Sequence, residues 1–301
     1  MATYRFFNDK VNLTEAEYEA AINSNPNDID AHNNLGVLYV KQKKYELAEQ
    51  EFKTSLNINP NDLEAHNKLG VLYLIQDKTE LAEQVFNAAI KIDPNNTYAH
   101  YNLALTYGKQ NKRDLAEQEF KEAIEVDPNN IYAHNNLGIW YREQKKYDLA
   151  EKEFRVAIKA DSNNTMLQLN LGALHAEQKK YELAEEEFNA AIKINPNDAN
   201  AHYYLALTYD KQGRVDLTEQ EFKTTIEINP NFAEAHSKLG VLYEEQEKYD
   251  LAEQEFKEAI KADPDNVNAH FNLGVLYAEQ KKYELAEEEF KVSSPHYVFQ
   301  F

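Results

Sequence analysis

The sequence HNNLGVLYVKQKKYELAEQEFKTSLNINP, residues 32–60, contains the pattern on which the fold of this chain depends. Its distinctive residues return every 34 positions, and the clearest marker is a proline close to the end of each copy. This proline occurs at Pro26, Pro60, Pro94, Pro128, Pro196, Pro230 and Pro264, and Ser162 replaces it once. Since a unit this short cannot bury its own apolar face, it must stack on its copies. The period therefore predicts one continuous stack rather than several globular domains.

Two helices are predicted in each repeat when positions 1–34 are counted from Ile29. Leucine at position 7, a small residue at 8 and tyrosine at 11 lie with position 4 on one face of a first helix, A. Alanine at 20 and phenylalanine at 24 lie one turn apart and form the buried face of a second helix, B. The proline at position 32 ends helix B, and Asp or Asn at position 34 offers an N-cap to the next helix A. The pattern predicts an all-α solenoid of antiparallel helix hairpins.

The repeat boundaries follow from this count. Residues 1–28 are interpreted as a partial repeat that includes a helix B, and residues 292–301 as a non-repeat apolar tail. The eight repeats are 29–62, 63–96, 97–130, 131–164, 165–198, 199–232, 233–266 and 267–291.

The order His-x-x-Leu-Gly-x-x-Tyr, then Ala-x-x-x-Phe, then Pro resembles the tetratricopeptide repeat, with His where many members have Trp. The resemblance covers residues 29–291, and residues 12–28 match a preceding helix B. It implies a right-handed superhelix in which the A helices line a concave groove and the B helices lie outside. A protein-interaction scaffold is the function that goes with this fold.

The expected groove floor is the side of helix A opposite its core face, at positions 2, 5, 6, 9, 12 and 13. It is rich in amides and aromatic groups and has a small net charge, as the centres of protein interfaces have. We expect an extended peptide or protein segment to bind along repeats three to six. The candidate binding residues are Asn34, Tyr98, Tyr101, Asn102, Tyr132, Asn135, Asn136, Met166, Leu169, Asn170, Tyr203, Tyr204, Phe271 and Asn272.

Asparagine recurs at position 6 of five repeats. A side-chain amide both donates and accepts, so it can pair with any peptide backbone. The row resembles the asparagine ladder in the repeat domain of O-linked N-acetylglucosamine transferases, and the alternative is that these are ordinary polar helix-surface residues. The carboxylate clamp of heat-shock co-chaperones needs Asn at position 9, which is apolar throughout this chain.

Other partners and chemistries are disfavoured by composition. The chain has 32 basic and 52 acidic residues, a net charge of −20, which repels nucleic acid and anionic membranes. It has no cysteine, no catalytic motif and no phosphate-binding loop, so no enzyme, metal or cofactor is expected. Histidines at position 4 of seven repeats are interpreted as packing residues, because copies one repeat apart are too distant to share a metal. Without a signal peptide or apolar span, a cytoplasmic location is expected.

Helix B also repeats Glu at position 21 and Lys or Arg at position 25. Such pairs, four residues apart, are interpreted as a solvated face rather than a site.

The pattern breaks in two places. Repeat five has Ser162 for proline, Gln168 for histidine and His175 for tyrosine, which indicates either a bend or a pocket for an apolar side chain. The tail HYVFQF could cover the last hairpin or insert into the groove of a neighbouring molecule, or it could be foreign to the protein. Two other functions stay open: a self-assembling scaffold joined through residues 292–301 or its uncapped ends, and the substrate-recognition part of a larger enzyme.

Overall fold

The computed structural model describes residues 13–293, and every regular element in that range is an α-helix. This confirms the predicted all-α class. The helices are α1 (Glu15–Ser24), α2 (Ile29–Lys41), α3 (Tyr45–Ile58), α4 (Leu63–Ile75), α5 (Thr79–Ile92), α6 (Thr97–Lys109), α7 (Arg113–Val126), α8 (Ile131–Glu143), α9 (Tyr147–Ala160), α10 (Thr165–Glu177), α11 (Tyr181–Ile194), α12 (Ala199–Lys211), α13 (Val215–Ile228), α14 (Ala233–Glu245), α15 (Tyr249–Ala262), α16 (Val267–Glu279) and α17 (Tyr283–Ser293).

The chain forms two compact units, and the boundary lies between Asp161 and Ser162. The first unit contains α1–α9 and the second contains α10–α17. The boundary therefore coincides with the one repeat junction that lacks its proline. Most of the predicted tail, residues 294–301, lies outside the described residues, as do residues 1–12.

Within each unit the helices alternate between A and B, with even numbers for A helices. The two helices of a hairpin pack on each other, and within a unit each B helix also packs on the next A helix. Each hairpin thus buries its apolar face against its neighbours along the chain. This is the α-solenoid that the period predicts.

The core of a hairpin is built from a small residue and an aromatic ring. A Cβ atom placed on Gly36 would lie 2.5 Å from a ring carbon of Phe52, which is itself fully buried. Gly70 and Phe86 repeat this contact at 2.5 Å. The ring at position 24 therefore fills the space that the missing side chain at position 8 leaves, as the sequence predicts.

The ends of the helices follow the predicted signals. The Asp62 carboxylate caps α4 by accepting hydrogen bonds from the backbone N–H groups of Glu64 (3.0 Å) and Ala65 (3.3 Å). The B helices that precede a proline end two residues before it. Helix α9 ends at the equivalent residue, Ala160, although Ser162 follows, so the proline is not needed for this stop.

The turn from helix A to helix B places position 15 in the left-handed region of backbone space. Its φ is between 58° and 61° at seven of these positions among the described residues, and none of the seven is glycine. They are Lys43, Asp77, Asn111, Lys145, Lys179, Glu247 and Lys281, and only in repeat six does a glycine, Gly213, take this place.

Candidate peptide-binding surface

The candidate binding residues lie on one side of the A helices. We call the surface formed by positions 2, 5, 6 and 9 of these helices the A face. Each unit has its own part of the A face, contributed by α2, α4, α6 and α8 in the first unit and by α10, α12, α14 and α16 in the second.

The A face of the first unit is largely closed to solvent around α6. Tyr101 is 7% exposed and Asn102 is 1% exposed, whereas Tyr98 is half-buried. Burial raises the pKa of both tyrosines well above the ordinary range of a phenol. On α8, Asn135 is buried and Tyr132 is exposed. The structure therefore brings these residues together, but Tyr132 is the one whose ring is open to solvent.

The side-chain amides at position 6 are engaged within the protein. Asn102 donates a hydrogen bond to the backbone carbonyl of Tyr98 (2.8 Å). Asn136 donates to the carbonyl of Tyr132 (2.8 Å) and to the hydroxyl of Tyr101 (3.0 Å). These bonds use both amide hydrogens of Asn136 and one of the two amide hydrogens of Asn102. The asparagine ladder stays a prediction, and Asn136 has no amide hydrogen left to donate to a ligand.

The A face of α2 and α4 contains buried polar groups that the sequence interpretation missed. Lys68, at position 6, is only 1% exposed and forms an ion pair with Glu64. Asn33 donates to Asp62 at 2.9 Å, but its own Oδ1 atom is buried and accepts no hydrogen bond, and the same holds for Oδ1 of Asn67. The candidate residue Asn34 beside them is half-buried.

The A face of the second unit exposes its aromatic groups. Tyr204 is 39% exposed and its ring stacks on Phe188 with centroids 5.7 Å apart. Tyr203 packs edge-on against Tyr204 at 5.6 Å and stacks on Phe232 at 4.9 Å. Phe232 was not among the predicted residues. The sequence does contain a sign of it, because Phe232 stands at position 34, where the other complete repeats have Asp or Asn.

The remaining candidates of the second unit are more scattered. Met166 is 54% exposed and Phe271 is 44% exposed. Leu169, Asn170 and Asn272 are half-buried. The open apolar surface of this unit is thus divided among α10, α12 and α16.

Six of the seven position-4 histidines lie between two hydrogen-bond acceptors. In His100, Nδ1 is 2.6 Å from the Glu119 carboxylate and Nε2 is 3.0 Å from the carbonyl of Pro94. Both acceptors are satisfied only when both ring nitrogens carry a proton. The same arrangement recurs at His32, His134, His202, His236 and His270. Residues 13–293 contain no cluster of three acidic or histidine ligands that could hold a metal.

The acidic residues at position 21 connect neighbouring repeats, which corrects their interpretation as solvated side chains only. The predicted pair Glu49–Lys53 is present at 2.7 Å. Glu49 also accepts a hydrogen bond from the hydroxyl of Tyr73 (3.0 Å) and lies 3.5 Å from Lys78, both in the next repeat. Equivalent bonds link Glu117 to Tyr141, and in the second unit Glu219 to Tyr243 and Glu253 to Tyr277.

A second apolar surface, also missed, lies on the B helices. Leucine occupies position 19 of every repeat, where most of these side chains are between 37% and 43% exposed. We call the exposed ones the leucine row; they are Leu47, Leu81, Leu115, Leu149, Leu183, Leu251 and Leu285, whereas Leu217 of repeat six is half-buried. Within the described part of the chain, no helix is long and apolar enough to cross a membrane.

Sequence profiles of one repeat family match successive parts of the chain. Profiles described as Tetratricopeptide repeat match residues 29–62, 51–84, 101–165 and 237–293, and one described as TPR repeat matches residues 72–111 and 175–213. These matches take in most of the sequence between residues 29 and 293. The chain therefore belongs to the tetratricopeptide repeat family. No curated protein sequence matches it significantly.

Solved structures of repeat proteins resemble the chain in fold. The C-terminal part of a TPR repeat-containing protein from Cytophaga hutchinsonii is 17% identical, with a TM-score of 0.62 over 80% of this chain and 99% of that one. The hetero-tetramer Cut9–Hcn1 of the APC/C gives 16% identity and a TM-score of 0.60 over 87% of this chain. The pilF protein of Pseudomonas aeruginosa is 20% identical, with a TM-score of 0.58 over 67% of this chain and 92% of that one. This chain spans about half, 52%, of the matched Cut9–Hcn1 chain.

Proposed function

We propose that this protein is a non-catalytic scaffold that binds an extended peptide or protein segment on its A face. Family membership makes it a protein-interaction scaffold; the surface and the form of the ligand are our proposal. The observation that supports it most directly is the aromatic cluster of Tyr203, Tyr204 and Phe232, which leaves Tyr204 open on the A face.

The cluster has the properties of an interface anchor. Tyrosine supplies a large apolar area with little loss of side-chain entropy, and such residues dominate the energy of many interfaces. Here Phe188 and Phe232 support the two tyrosines from below and beside, so the exposed ring is held in one place. A preorganised ring binds a partner at a lower entropic cost than a mobile one.

The A face favours a ligand with apolar side chains. Its large exposed apolar groups in the second unit are Met166, Tyr204 and Phe271, and its exposed charged residues, Glu234 and Lys238, both belong to α14. Asn170 and Asn272 lie beside them at position 6, where a side-chain amide can pair with a peptide backbone. Such a surface suits an extended segment that presents apolar side chains and leaves its backbone groups to the amides.

Selection from a displayed library of random peptides tests this proposal without a known ligand. The wild-type chain should enrich peptides rich in apolar residues, and Tyr204→Ser should lower the affinity for a selected peptide at least about tenfold, as for an interface anchor. Leu251→Ser is the matched control, because Leu251 is 43% exposed but belongs to the leucine row. Circular dichroism should show the same helix content in both variants.

Two results would count against the proposal. The first is that Tyr204→Ser leaves the affinity unchanged while Leu251→Ser lowers it, which would move the binding surface to the B helices. The second is that the wild-type chain enriches no peptide.

A further inference from the structure

The A face of the second unit is bordered by carboxylates. Positions 12 and 13, in the last turn of helix A, lie on the same side of the helix as positions 5, 6 and 9. In this unit they supply five acidic residues and one basic residue, whereas in the first unit they supply one acidic and three basic residues. Asp210 is paired with Lys211 at 3.1 Å. We call Glu244, Glu245 and Glu279 the acidic edge; Glu244 is half-buried and the other two are exposed.

The acidic edge stands at the unfavourable ends of its helices. Glu244 and Glu245 lie in the last turn of α14, and Glu279 is the last residue of α16. The C-terminal end of a helix carries partial negative charge, so a cation there is stabilising and an anion is not. The last turns of α2, α6, α8 and α12 contain a basic residue, but those of α14 and α16 contain none. Helix stability therefore does not explain these carboxylates.

The three carboxylates have no cation of their own. Within residues 13–293 none of them forms an ion pair. Burial, followed by the carboxylates of Glu279 and Glu245, raises the pKa of Glu244. The acids of α14 and α16 are thus close enough to repel one another across two helices. A cation placed among them would relieve this repulsion.

Exposed rings lie beside the acidic edge on the same surface. Tyr204 on α12 is 39% exposed and Phe271 on α16 is 44% exposed. Helix α14 presents Ser237 at position 5, which is only 7% exposed and whose hydroxyl forms no hydrogen bond within residues 13–293. Buried polar groups in native proteins normally have a partner, and the backbone of a ligand would supply one here.

The separation of rings and carboxylates sets a spacing for the ligand. Phe271 and Glu279 are eight residues apart on one helix, which is about 12 Å at 1.5 Å per residue. An extended chain covers this distance in about three or four residues. A ligand with an apolar side chain on Phe271 therefore reaches the acidic edge about three or four positions further along its own chain.

We propose that the A face of the second unit binds an extended segment in which lysine or arginine stands about three or four residues from apolar side chains. The apolar side chains contact Tyr204 and Phe271, and the cation lies on the acidic edge. Arginine suits the edge best, because one guanidinium can donate to two carboxylates. Lys238, exposed at position 6 of α14, disfavours a second cation beside the rings.

This inference deepens the proposed function and rests on it, because it names the class of ligand for one part of the A face. Charge complementarity carries the assignment. A purely apolar segment would leave the carboxylates of the acidic edge unpaired, and an acidic segment would be repelled by them.

The test uses the full chain and the displayed library of random peptides. The wild type should enrich peptides with lysine or arginine at the stated distance from apolar residues. In the neutralised variant, Glu244→Gln, Glu245→Gln and Glu279→Gln are combined. It should bind a selected peptide at least about tenfold more weakly than the wild type, the effect of losing one hydrogen bond to a charged group. Equal affinity of the two proteins would overturn the inference.

A matched control separates the acidic edge from the net charge of the chain. Asp216→Asn, Asp250→Asn and Glu284→Gln together remove the same number of negative charges at exposed positions of the B helices. This control variant should bind the selected peptide nearly as tightly as the wild type. A loss as large as that of the neutralised variant would mean that the overall negative charge attracts basic peptides, and would overturn the inference.

Reversing the charge of the acidic edge should reverse the selection. A variant with Glu244→Lys, Glu245→Lys and Glu279→Lys should enrich peptides with aspartate or glutamate in place of the basic residues. Continued enrichment of lysine and arginine would overturn the inference, because another part of the protein would then bind them.

The melting temperature supplies a readout that needs no ligand. The neutralised variant should melt at a higher temperature than the control variant of equal net charge, because its substitutions remove anions from the negative ends of two helices. A lower melting temperature would show that the acidic edge stabilises the fold itself, which would overturn the argument for a ligand cation.

The library selection also separates the two proposals. If the selected peptides lose affinity for Tyr204→Ser but show no excess of lysine or arginine, the inference fails and the proposed function stands. If the wild type enriches no peptide, both fail.

Discussion

The imidazole at position 4 is held by hydrogen bonds as well as by packing. Its Nδ1 atom lies 2.6 Å from a carboxylate in six repeats, and the opposite nitrogen faces a backbone carbonyl. Hydrogen bonds that involve an ionised group are shorter and stronger than neutral ones. The Glu119 carboxylate raises the pKa of His100 above that of a free histidine, although burial opposes this effect.

We therefore expect Glu119→Gln to destabilise the protein more at low pH than at high pH. A histidine whose pKa is raised on folding stabilises the protein fully below its unfolded pKa of about 6.5, and this contribution disappears as the pH rises through the folded pKa. The other groups near His100 are the carbonyl of Pro94 and the Glu122 carboxylate, and the substitution changes neither. Denaturant unfolding should show a loss of about 1.5–3 kcal/mol at pH 6, the usual value for a hydrogen bond to a charged group, and a smaller loss at pH 9. An equal loss at both values would contradict the charged-histidine interpretation.

Repeat two supplies the complementary experiment. His66 has Val85 where the seven other repeats have a glutamate, and its Nδ1 atom is buried without a hydrogen-bond partner. Val85→Glu should raise the melting temperature at pH 6 because it completes the arrangement seen in the other repeats. If the substitution lowers the melting temperature instead, the lost apolar contact of Val85 outweighs the new bond.

At the scale of the helix, the N-cap residue Asp62 begins helix α4 and also links two neighbouring hairpins. The Asp62 carboxylate accepts hydrogen bonds from two backbone N–H groups of α4 and from the side chain of Asn33 in α2. The Asp62 carboxylate thus pairs backbone N–H groups in the first turn of α4 and also holds the Asn33 side chain of α2.

Asp62→Ala should cost about 0.5–2 kcal/mol, the usual range for loss of an N-cap. The control is Asn61→Ala at the adjacent exposed position, which should change the free energy of unfolding by less than about 0.5 kcal/mol. Urea denaturation measures the change in the free energy of unfolding for both variants. A loss for Asp62→Ala no larger than the control would mean that water replaces the cap without cost.

Contacts inside one repeat could be predicted from the sequence, and contacts between repeats could not. Gly36 and Phe52 fit one another because both belong to the repeating core pattern, and the spacing of three and four residues identifies that pattern. Glu49 was interpreted from its neighbour Lys53 four residues on, whereas its partners Tyr73 and Lys78 lie 24 and 29 residues away. Periodicity within a helix does not specify which side chains of the next repeat will meet it.

The same limit applies to the candidate binding surface. Helical geometry places Tyr101 and Tyr204 on the A face, at neighbouring positions 5 and 6. Only the structure separates them, because Tyr101 is 7% exposed and Tyr204 is 39% exposed. Exposure on this face depends on what covers each helix from outside the hairpin, which a single-repeat pattern does not contain.

At the scale of the whole molecule, the excess of acidic residues opposes folding. The net charge of −20 is distributed over a chain of 301 residues, and like charges repel when the chain becomes compact. Many lysines are engaged in pairs with glutamates, for example Lys112 with Glu83 at 2.8 Å, so the unmatched charges are mainly carboxylates.

Added salt should therefore stabilise the protein. The Debye length falls from about 30 Å at 0.01 M to about 3 Å at 1 M ionic strength, which screens the long-range repulsion. The melting temperature should rise from about 0.01 M to about 0.5 M NaCl, and KCl should give the same rise if the effect is screening. A fall would mean that the ion pairs between repeats contribute more than the net repulsion costs.

The turns between helices A and B offer a way to calibrate how stability grows in an array. A non-glycine residue in the left-handed region is disfavoured by roughly 1–2 kcal/mol, and glycine carries no such penalty but loses more entropy on folding. Replacing Lys43 or Lys145 by glycine, as repeat six has at Gly213, should therefore add about 0.5–1 kcal/mol for each site. Because seven repeats present equivalent sites on turns away from the A face, a graded series of one to seven replacements would yield chains with the same binding surface and stepwise higher unfolding midpoints in urea. Such a series would turn this solenoid into an adjustable framework for engineering.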